Sequence, residues 1–366
     1  MATYRTGSGD GGTSRTATTP ERSGPLTTSP RRGYRMSTID KAPDGDAVRR
    51  GDAAAECARL QHATAAETPQ AASRCDARSP ESVRAGAVGL VVARDPETLA
   101  SDTFFPGFIA GCERVLAAHG MGLILHVASS EEAERTAYEH LAAGRADGVI
   151  LLDVRVGDPR FALMAELALP AVVLSARAPG LEETSGLPTI YSDDSPAVEE
   201  LVELFAEAGH TRIAHVSGPP RFLHARVRGA AFSAAMRARG LDDSFVVEGD
   251  FTAESGRDAT AQLLDLPHPP TGILYANDLM AIAGLSLALS YGIRVPQELS
   301  LTGYDDNVLS AHLSPGLTTV ATADRQRGEL ALRTLLSVIA RERPENDLAG
   351  HTTVVVRGSV APPPQP

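Results

Sequence analysis

Residues 271–306 read TGILYANDLMAIAGLSLALSYGIRVPQELSLTGYDD, and they predict how the body of the chain folds. The apolar run GILYA (272–276) indicates a buried strand, and residues 277–291 have the length and apolar content of a helix. LSLTGYDD (299–306) then begins as a second strand. A helix between two strands is typical of a βαβ unit, in which the two strands lie parallel in one sheet.

The same alternation begins at Ala85 and continues through the rest of the chain. AGAVGLVVA (85–93) is a continuous apolar run of the kind found in strands buried on both faces. Further strands are predicted at 121–127, 148–152, 171–175, 189–194, 212–218, 245–249, 317–320 and 352–356. Helices are predicted at 104–120, 130–144, 159–168, 195–208, 223–239, 253–265 and 324–342. This number of strands exceeds one comfortable open sheet, so we expect an α/β fold with two doubly wound parallel-sheet lobes and an interlobe cleft.

Residues 1–84 differ in composition from the body. They carry 13 Lys and Arg against 10 Asp and Glu, whereas the rest of the chain carries 21 against 36. Between Asp40 and Arg84 the large aliphatic or Phe side chains are Val48, Leu60 and Val83, which cannot offset the entropy lost on ordering the backbone. We therefore predict a mostly disordered tail, with a transient Ala-rich helix around 52–62.

Several classes of protein are disfavoured by the sequence. No apolar run approaches the roughly 20 residues that span a bilayer, so no membrane partner is expected. The first residues lack the apolar segment of a secretory signal, which predicts a cytoplasmic protein. Cys57, Cys75 and Cys112 do not have metal-ligand spacing, and neither a metal nor a cofactor is expected.

Polar residues follow four of the predicted strands, where doubly wound folds bind their ligands. These loops are SDD (192–194), SGPP (217–220), AND (276–278) and GYDD (303–306). Arg226 and Arg228 lie beside the second loop, and Phe104 and Phe105 open the first helix. Carboxylates, guanidinium groups and an aromatic face suit a polyhydroxylated ligand. Each residue alone also fits a structural role, as a helix cap, a solvated charge or a core aromatic; their convergence on one side of the sheets favours a binding site.

The sequence does not favour catalysis. It lacks the GxSxG elbow, the GxxxxGKS phosphate loop, the HExxH zinc motif and a GxGxxG after the first strand. The acid pairs Asp193/Asp194 and Asp305/Asp306 have neither a nucleophile nor a metal ligand near them in sequence. We therefore expect a binding protein and not an enzyme.

Long stretches of residues 86–360 occur in the same order and spacing in one family of bacterial regulators. They are GLVVARDPETLASDTFFPGFIAGCERVLAAHG (89–120), RADGVILL (145–152), AGHTRIAHVSGPPRFLHARVRGAAF (208–232), residues 271–306 quoted above, and LSPGLTTV (313–320). The body resembles the effector-binding core of the lactose/galactose-repressor (LacI-type) family, which has a periplasmic-binding-protein-like fold. The resemblance implies a first lobe of about 85–189 plus 317–348 and a second lobe of about 190–316 plus 349–360.

The resemblance also implies a cleft site for a sugar or nucleoside-type effector. Carried over by position, this site falls on Phe105, Asp193, Arg228, Asn277, Asp278 and Asp305. The chain departs from the family in having Ala231 where a Gly usually precedes the aromatic residue Phe232. Ser175 and Arg177 occupy a stretch where many members carry an Asp or Arg ligand, which leaves the specificity there open.

The N-terminus is the main departure from the family. Members begin with a helix-turn-helix headpiece that binds DNA, and they form homodimers. MSTI (36–39) reads like the start of such a headpiece, but residues 40–82 contain no recognisable one. Our hypothesis is a degenerate or frame-shifted headpiece, whose reading frame is recovered near 82–85. The alternative is a natural tail on a stand-alone cytoplasmic sugar-binding module that does not bind DNA.

Overall fold

The computed structural model describes residues 84–94, 99, 102–177, 186–342, 350 and 352–365. The predicted tail over 1–84, including its transient helix and the headpiece hypothesis, lies outside these residues apart from Arg84. Within the described part, no helix is long and apolar enough to cross a membrane. The predicted α/β architecture with two parallel-sheet lobes is confirmed.

The first lobe contains a five-stranded parallel sheet in the order β2-β1-β3-β4-β5. Its strands are β1 (Ala87–Val92), β2 (Gly122–Val127), β3 (Gly148–Leu151), β4 (Ala171–Ala176) and β5 (Thr189–Ser192). Its helices are α1 (Phe104–His119), α2 (Glu131–Ala142) and α3 (Arg160–Glu166). The central strands are buried on both faces, because helices cover each side of the sheet.

The second lobe contains a four-stranded parallel sheet in the order β7-β6-β8-β9. Its strands are β6 (Ile213–Ser217), β7 (Val246–Glu248), β8 (Gly272–Tyr275) and β9 (Ser300–Thr302). Its helices are α4 (Ser195–Glu207), α5 (Leu223–Ala238), α6 (Ala253–Leu264) and α7 (Asp278–Ser290). The βαβ unit predicted over 271–306 is therefore β8, α7 and β9, and β8 pairs in parallel with β9.

The chain crosses between the lobes after β5 and again before α8 (Asp324–Ile339), which returns to pack against α1. Two predicted lobe boundaries are thereby corrected. β5 extends the first-lobe sheet to Ser192 and not only to 189, because its residues pair with β4. Leu317 and Val320 are buried in the cores of the second lobe, so the return to the first lobe comes after 321 and not at 317. The antiparallel pair β10 (Thr319–Ala321) and β11 (Thr353–Val355) flanks this crossing.

Backbone hydrogen bonds connect the two lobes along one side of the cleft. The Leu223 N–H, at the start of α5, donates to the Val154 carbonyl of the first lobe at 2.8 Å. Arg155 and Phe222 form an antiparallel bridge beside it. Leu223 and Val227 are buried in a core cluster made otherwise of first-lobe residues. The lobes are therefore in direct contact at the start of α5.

Candidate functional site

A cavity of about 700 Å³, its open mouth included, lies between the lobes. Its first-lobe wall comes from the segments that follow the strands and includes Arg94 after β1 and Asp153 after β3. Its second-lobe wall includes Arg228 on α5, with Asp305 after β9. This is the position at which doubly wound sheets bind ligands, beyond the carboxyl ends of the strands.

Arg228 forms the floor of the cavity on the second-lobe side. Its Nε donates to Asp194 Oδ2 at 3.0 Å, and its Nη1 donates to the Ala276 carbonyl at 2.9 Å. The guanidinium carbon lies 3.6 Å from the centre of the Tyr304 ring, so the guanidinium also makes a cation–π contact with this ring. Burial would raise the pKa of Asp194, but the charges of Arg228 and Arg327 and the Arg228 hydrogen bond outweigh burial and lower that pKa.

Arg94 lies among aromatic rings from both lobes. Its guanidinium carbon is 5.5 Å from the ring centre of Phe105, 5.2 Å from that of Phe222 and 5.0 Å from that of Phe251. Its Nε and Nη2 donate to the two carboxylate oxygens of Asp153, each at 2.7 Å. Burial opposes ionisation of Asp153, yet the Arg94 charge and hydrogen bonds bring the pKa of that carboxyl down to about 2. The pair is therefore ionised across the physiological pH range.

His224 completes the aromatic part of the second-lobe wall. Its ring stacks on Phe222, with centres 5.6 Å apart, and on Phe251, with centres 5.5 Å apart. Burial lowers the pKa of His224 to about 4, although the Asp153 charge opposes this. The imidazole is therefore neutral near pH 7, and it adds an apolar face and polar ring nitrogens to the wall.

Asp305 brings a carboxyl group to the cavity from a strained backbone position. Its φ is 95°, in the left-handed region that favours glycine, and its N–H donates to the Val320 carbonyl at 2.8 Å. Burial raises the pKa of Asp305 well above its ordinary value, and the Arg228 charge only partly compensates. In its protonated form this carboxyl can donate a hydrogen bond as well as accept one.

Three of the six predicted site residues line the cavity, namely Arg228, Asn277 and Asp305. The Asn277 amide is already engaged, because its Oδ1 accepts from the Met280 N–H and its Nδ2 donates to the Phe251 carbonyl, both at 2.9 Å. Asn277 is therefore the N-cap of α7 and supports the aromatic wall.

The other three predicted residues do not line the cavity. Phe105 is buried beneath Arg94, and its neighbour Phe104 reaches the cavity wall. Asp193 is exposed and its Oδ1 accepts from the Ser195 N–H at 3.3 Å, whereas Asp194 points inward.

The third of these residues, Asp278, forms hydrogen bonds within the second lobe instead of facing the cavity. Its carboxylate accepts from the Asn307 N–H at 2.7 Å, the Ser310 hydroxyl at 2.6 Å and the Thr319 hydroxyl at 2.5 Å. These bonds tie the start of α7 to the segments that follow β9 and lead into β10. Asp278 thus stabilises the segments that form the second-lobe wall of the cavity without lining the cavity itself.

Sequence reasoning did not identify Arg94, Asp153 and Arg327 as cavity residues. Arg94 and Asp153 follow β1 and β3 directly, so the rule that ligands bind at strand ends could have found them. Arg327 lies in the first turn of α8, after the chain has crossed back to the first lobe. Nothing in the local pattern distinguishes it from other basic residues of that helix.

The fold and the cleft define a two-lobed binding domain of the periplasmic-binding-protein type. Residues 202–360 match the family described as a periplasmic binding protein-like domain. The chain is 36% identical over 240 residues to the HTH-type transcriptional repressor CytR of Escherichia coli K12, an alignment that covers 64% of this chain and 69% of that protein. It is 31% identical over 248 residues to the ribose operon repressor of the same strain, covering 67% and 74% of the two chains.

Solved structures agree with these relatives. A LacI family transcriptional regulator from Bifidobacterium animalis subsp. lactis superposes with a TM-score of 0.69 at 32% identity, covering 77% of this chain and all of that one. A complex of the transcriptional regulator CelR with cellobiose gives a TM-score of 0.69 at 28% identity, covering 75% and 85%. The chain belongs to the LacI/GalR-type family of transcriptional regulators.

Proposed function

We propose that the chain is a LacI-type transcriptional regulator whose core binds a small hydroxylated, sugar-like effector and thereby controls DNA binding. One observation carries the proposal: ionisable side chains from both lobes converge on one cavity. Arg94 and Asp153 come from the first lobe, and Arg228 and Asp305 come from the second. A ligand that contacts both walls favours one relative orientation of the lobes over another, which is how binding is transmitted through such a core.

The chemistry of the walls suits a hydroxylated molecule. A hydroxyl group donates and accepts, so it can satisfy a guanidinium such as Arg228 and a carboxyl such as Asp305 together. Phe104, His224 and Phe251 supply ring faces against which the C–H face of a sugar ring packs. The CelR relative whose structure holds cellobiose supports a sugar-like ligand for this fold.

DNA binding would come from outside the effector core. The body after residue 84 carries 21 basic against 36 acidic residues, and this negative charge repels the DNA backbone. Two of the relatives are named as an HTH-type transcriptional repressor and an HTH-type transcriptional regulator, so we propose that the DNA contact lies in the N-terminal part of a homodimer in the cytoplasm. The composition of residues 40–84 favours a second candidate, a stand-alone sugar-binding module that does not control DNA.

Two measurements on the full-length protein test the proposal. Titration calorimetry with a panel of sugars should show saturable binding without any product appearing. A mobility-shift assay with DNA flanking the protein's own gene should show a complex whose affinity changes when that ligand is added. Turnover of a ligand would indicate an enzyme, and ligand binding without any DNA complex would favour the stand-alone module.

The frame-shift hypothesis for residues 40–85 has its own test. Resequencing the gene should show a helix-turn-helix encoded in one of the other two reading frames across these codons. If neither frame encodes one, the hypothesis is wrong.

A further inference from the structure

We propose that the effector carries an oxyanion, either a carboxylate or a phosphate, and that Arg327 binds this group through its Nε and Nη2. The proposal rests on the effector-binding function proposed above and names the chemical class of the ligand. It also assigns a specificity role to a residue of α8, an element outside the six predicted site positions.

The Arg327 side chain is buried and lines the cavity. The residue is 4% exposed, and its Nε and Nη2 have no hydrogen-bond partner among the described residues. The nearest ion-pair contact joins Nη2 to Asp194 Oδ1 at 3.8 Å, beyond hydrogen-bond distance. In the part of the chain that the structure describes, Asp194 Oδ1 likewise has no hydrogen-bond partner, while Oδ2 of the same carboxylate accepts from Arg228. Since buried polar groups are nearly always paired, these donors indicate a missing acceptor.

The geometry of the two free donors restricts what that acceptor can be. Nε and Nη2 lie on one edge of the planar guanidinium, and their N–H bonds point in nearly the same direction. Two oxygens of one carboxylate or phosphate match this edge with two parallel hydrogen bonds. A single hydroxyl matches one of the two donors and leaves the other unpaired. An oxyanion therefore complements the edge better than an uncharged sugar does.

The distribution of charge around the cavity supports the same ligand. Arg94 is paired with Asp153 and Asp102, and Arg228 is paired with Asp194. Arg327 Nη2 lies 3.8 Å from Asp194, the same carboxylate to which Arg228 is hydrogen-bonded. Arg228 and Arg327 therefore have this one carboxylate as their common ion-pair partner.

Two further carboxyl groups lie near this end of the cavity, on Asp305 and Asp324. Burial raises the pKa of both, which favours their neutral forms. The Asp324 carboxyl also accepts from the Thr322 hydroxyl at 2.5 Å. Asp324 is the first residue of α8 and lies about one turn before Arg327. Neither carboxyl group accepts a hydrogen bond from Arg327 Nε or Nη2, and a bound oxyanion would supply that acceptor.

The test is calorimetry on the full-length protein with ligands matched in carbon skeleton. One set is glucose, gluconate and glucose 6-phosphate, and a second is ribose, ribonate and ribose 5-phosphate. We expect an acid or a phosphate of one set to bind at least 100-fold more tightly than its neutral parent. The carboxylate and phosphate arms identify which oxyanion the site takes.

Variants of α8 separate a binding role from a structural one. Arg327→Gln should remove the preference for the oxyanion while changing the affinity for the neutral parent by less than threefold. Arg325→Gln is the matched control, because Arg325 is exposed on the same helix and does not line the cavity. If Arg327→Gln does not fold, Arg327→Lys keeps the charge without the two-donor edge and should lower oxyanion affinity at least tenfold.

The outcomes distinguish this proposal from the proposed function. If neutral sugars bind and their acids and phosphates bind no better, Arg327 is not an oxyanion anchor, although the effector site stands. If Arg327→Gln weakens all ligands equally, the residue is structural and the proposal is wrong. If no member of a broad panel of sugars, acids or phosphates binds, the proposed function itself fails.

Discussion

The guanidinium of Arg94 and the carboxylate of Asp153 form a two-bond ion pair, with Nε and Nη2 each 2.7 Å from a carboxylate oxygen. The two residues follow β1 and β3, which are neighbours in the first-lobe sheet. The pair therefore holds the guanidinium plane at the sheet edge, where Phe222 and Phe251 of the second lobe pack against it. One ion pair of the first lobe thus forms part of the surface on which the second lobe rests.

Replacing Arg94 should destabilise the protein. Arg94→Met leaves the Asp153 carboxylate without its counter-charge in a largely buried position, and we expect a loss of about 3 kcal/mol in the free energy of unfolding. Chemical denaturation measures this loss. Arg135→Met is the control, because Arg135 pairs with Glu139 and Glu166 in water and its removal should leave stability unchanged within error. Equal effects of the two substitutions would contradict the structural role of the Arg94 pair.

Substitutions of Arg228 and of Asp305 should both abolish effector binding, but they should differ in their effect on stability. Arg228→Ala leaves Asp194 buried without its hydrogen-bonded partner, so it should abolish effector binding and also cost about 3 kcal/mol of stability. The sequence alone predicts no such loss of stability for Arg228→Ala, because the Asp194 contact is not visible in it.

Asp305→Asn should abolish binding while the thermal midpoint stays near that of the wild type, because burial already favours the uncharged carboxyl. Calorimetry and thermal unfolding of both variants check this, and a folded Asp305→Asn protein that binds normally would remove Asp305 from the site.

Asp278 should make stability fall as the pH rises. Burial raises its pKa from 3.8 to about 6 against the opposing hydrogen bonds of Ser310, Thr319 and Asn307. Between these values the folded state binds more protons than the unfolded state, so the free energy of unfolding decreases with increasing pH. The full effect, present above about pH 6, is about 3 kcal/mol for a shift of this size.

The measurement is the free energy of unfolding of the wild type and of Asp278→Asn from about pH 4 to about pH 7. The difference between the two curves should change within the window from 3.8 to about 6, since other titrating groups are common to both proteins. Parallel curves would show that the Asp278 carboxyl titrates normally.

The close contact of α1 with α8 should not tolerate a side chain at Gly328. A Cβ there would overlap the backbone carbonyl of Phe108, so Gly328→Ala should destabilise the protein by about 2 kcal/mol and displace Arg327. Gly229→Ala on α5 is the control, since a Cβ there meets nothing within 4 Å and should stabilise the helix by up to about 1 kcal/mol. Denaturation of both variants tests the pair, and a stable Gly328→Ala protein would contradict the packing.

Part of the site was predictable from chain position alone. Of the predicted site residues, Arg228, Asn277 and Asp305 line the cavity. Asn277 and Asp305 follow strands of a parallel sheet, which end at the same edge, whereas Arg228 lies on a helix and was assigned by the family resemblance. The choice between neighbours was not predictable in this way. Phe104 rather than Phe105, and Asp194 rather than Asp193, reach the cavity because adjacent residues point in different directions where a helix begins.

The two-lobed α/β architecture could be predicted from the amino-acid sequence, because apolar periodicity and strand length depend only on near neighbours in the chain. The sequence also indicated which edge of each sheet faces the cavity. Which charges meet at that edge depends on tertiary packing, as for Arg94 with Asp153 and for Arg327 beside Asp194. Each of these pairs joins segments that are far apart in sequence. Which residues meet depends on how the lobes pack and on where the chain crosses between them, and local sequence patterns do not encode either of these.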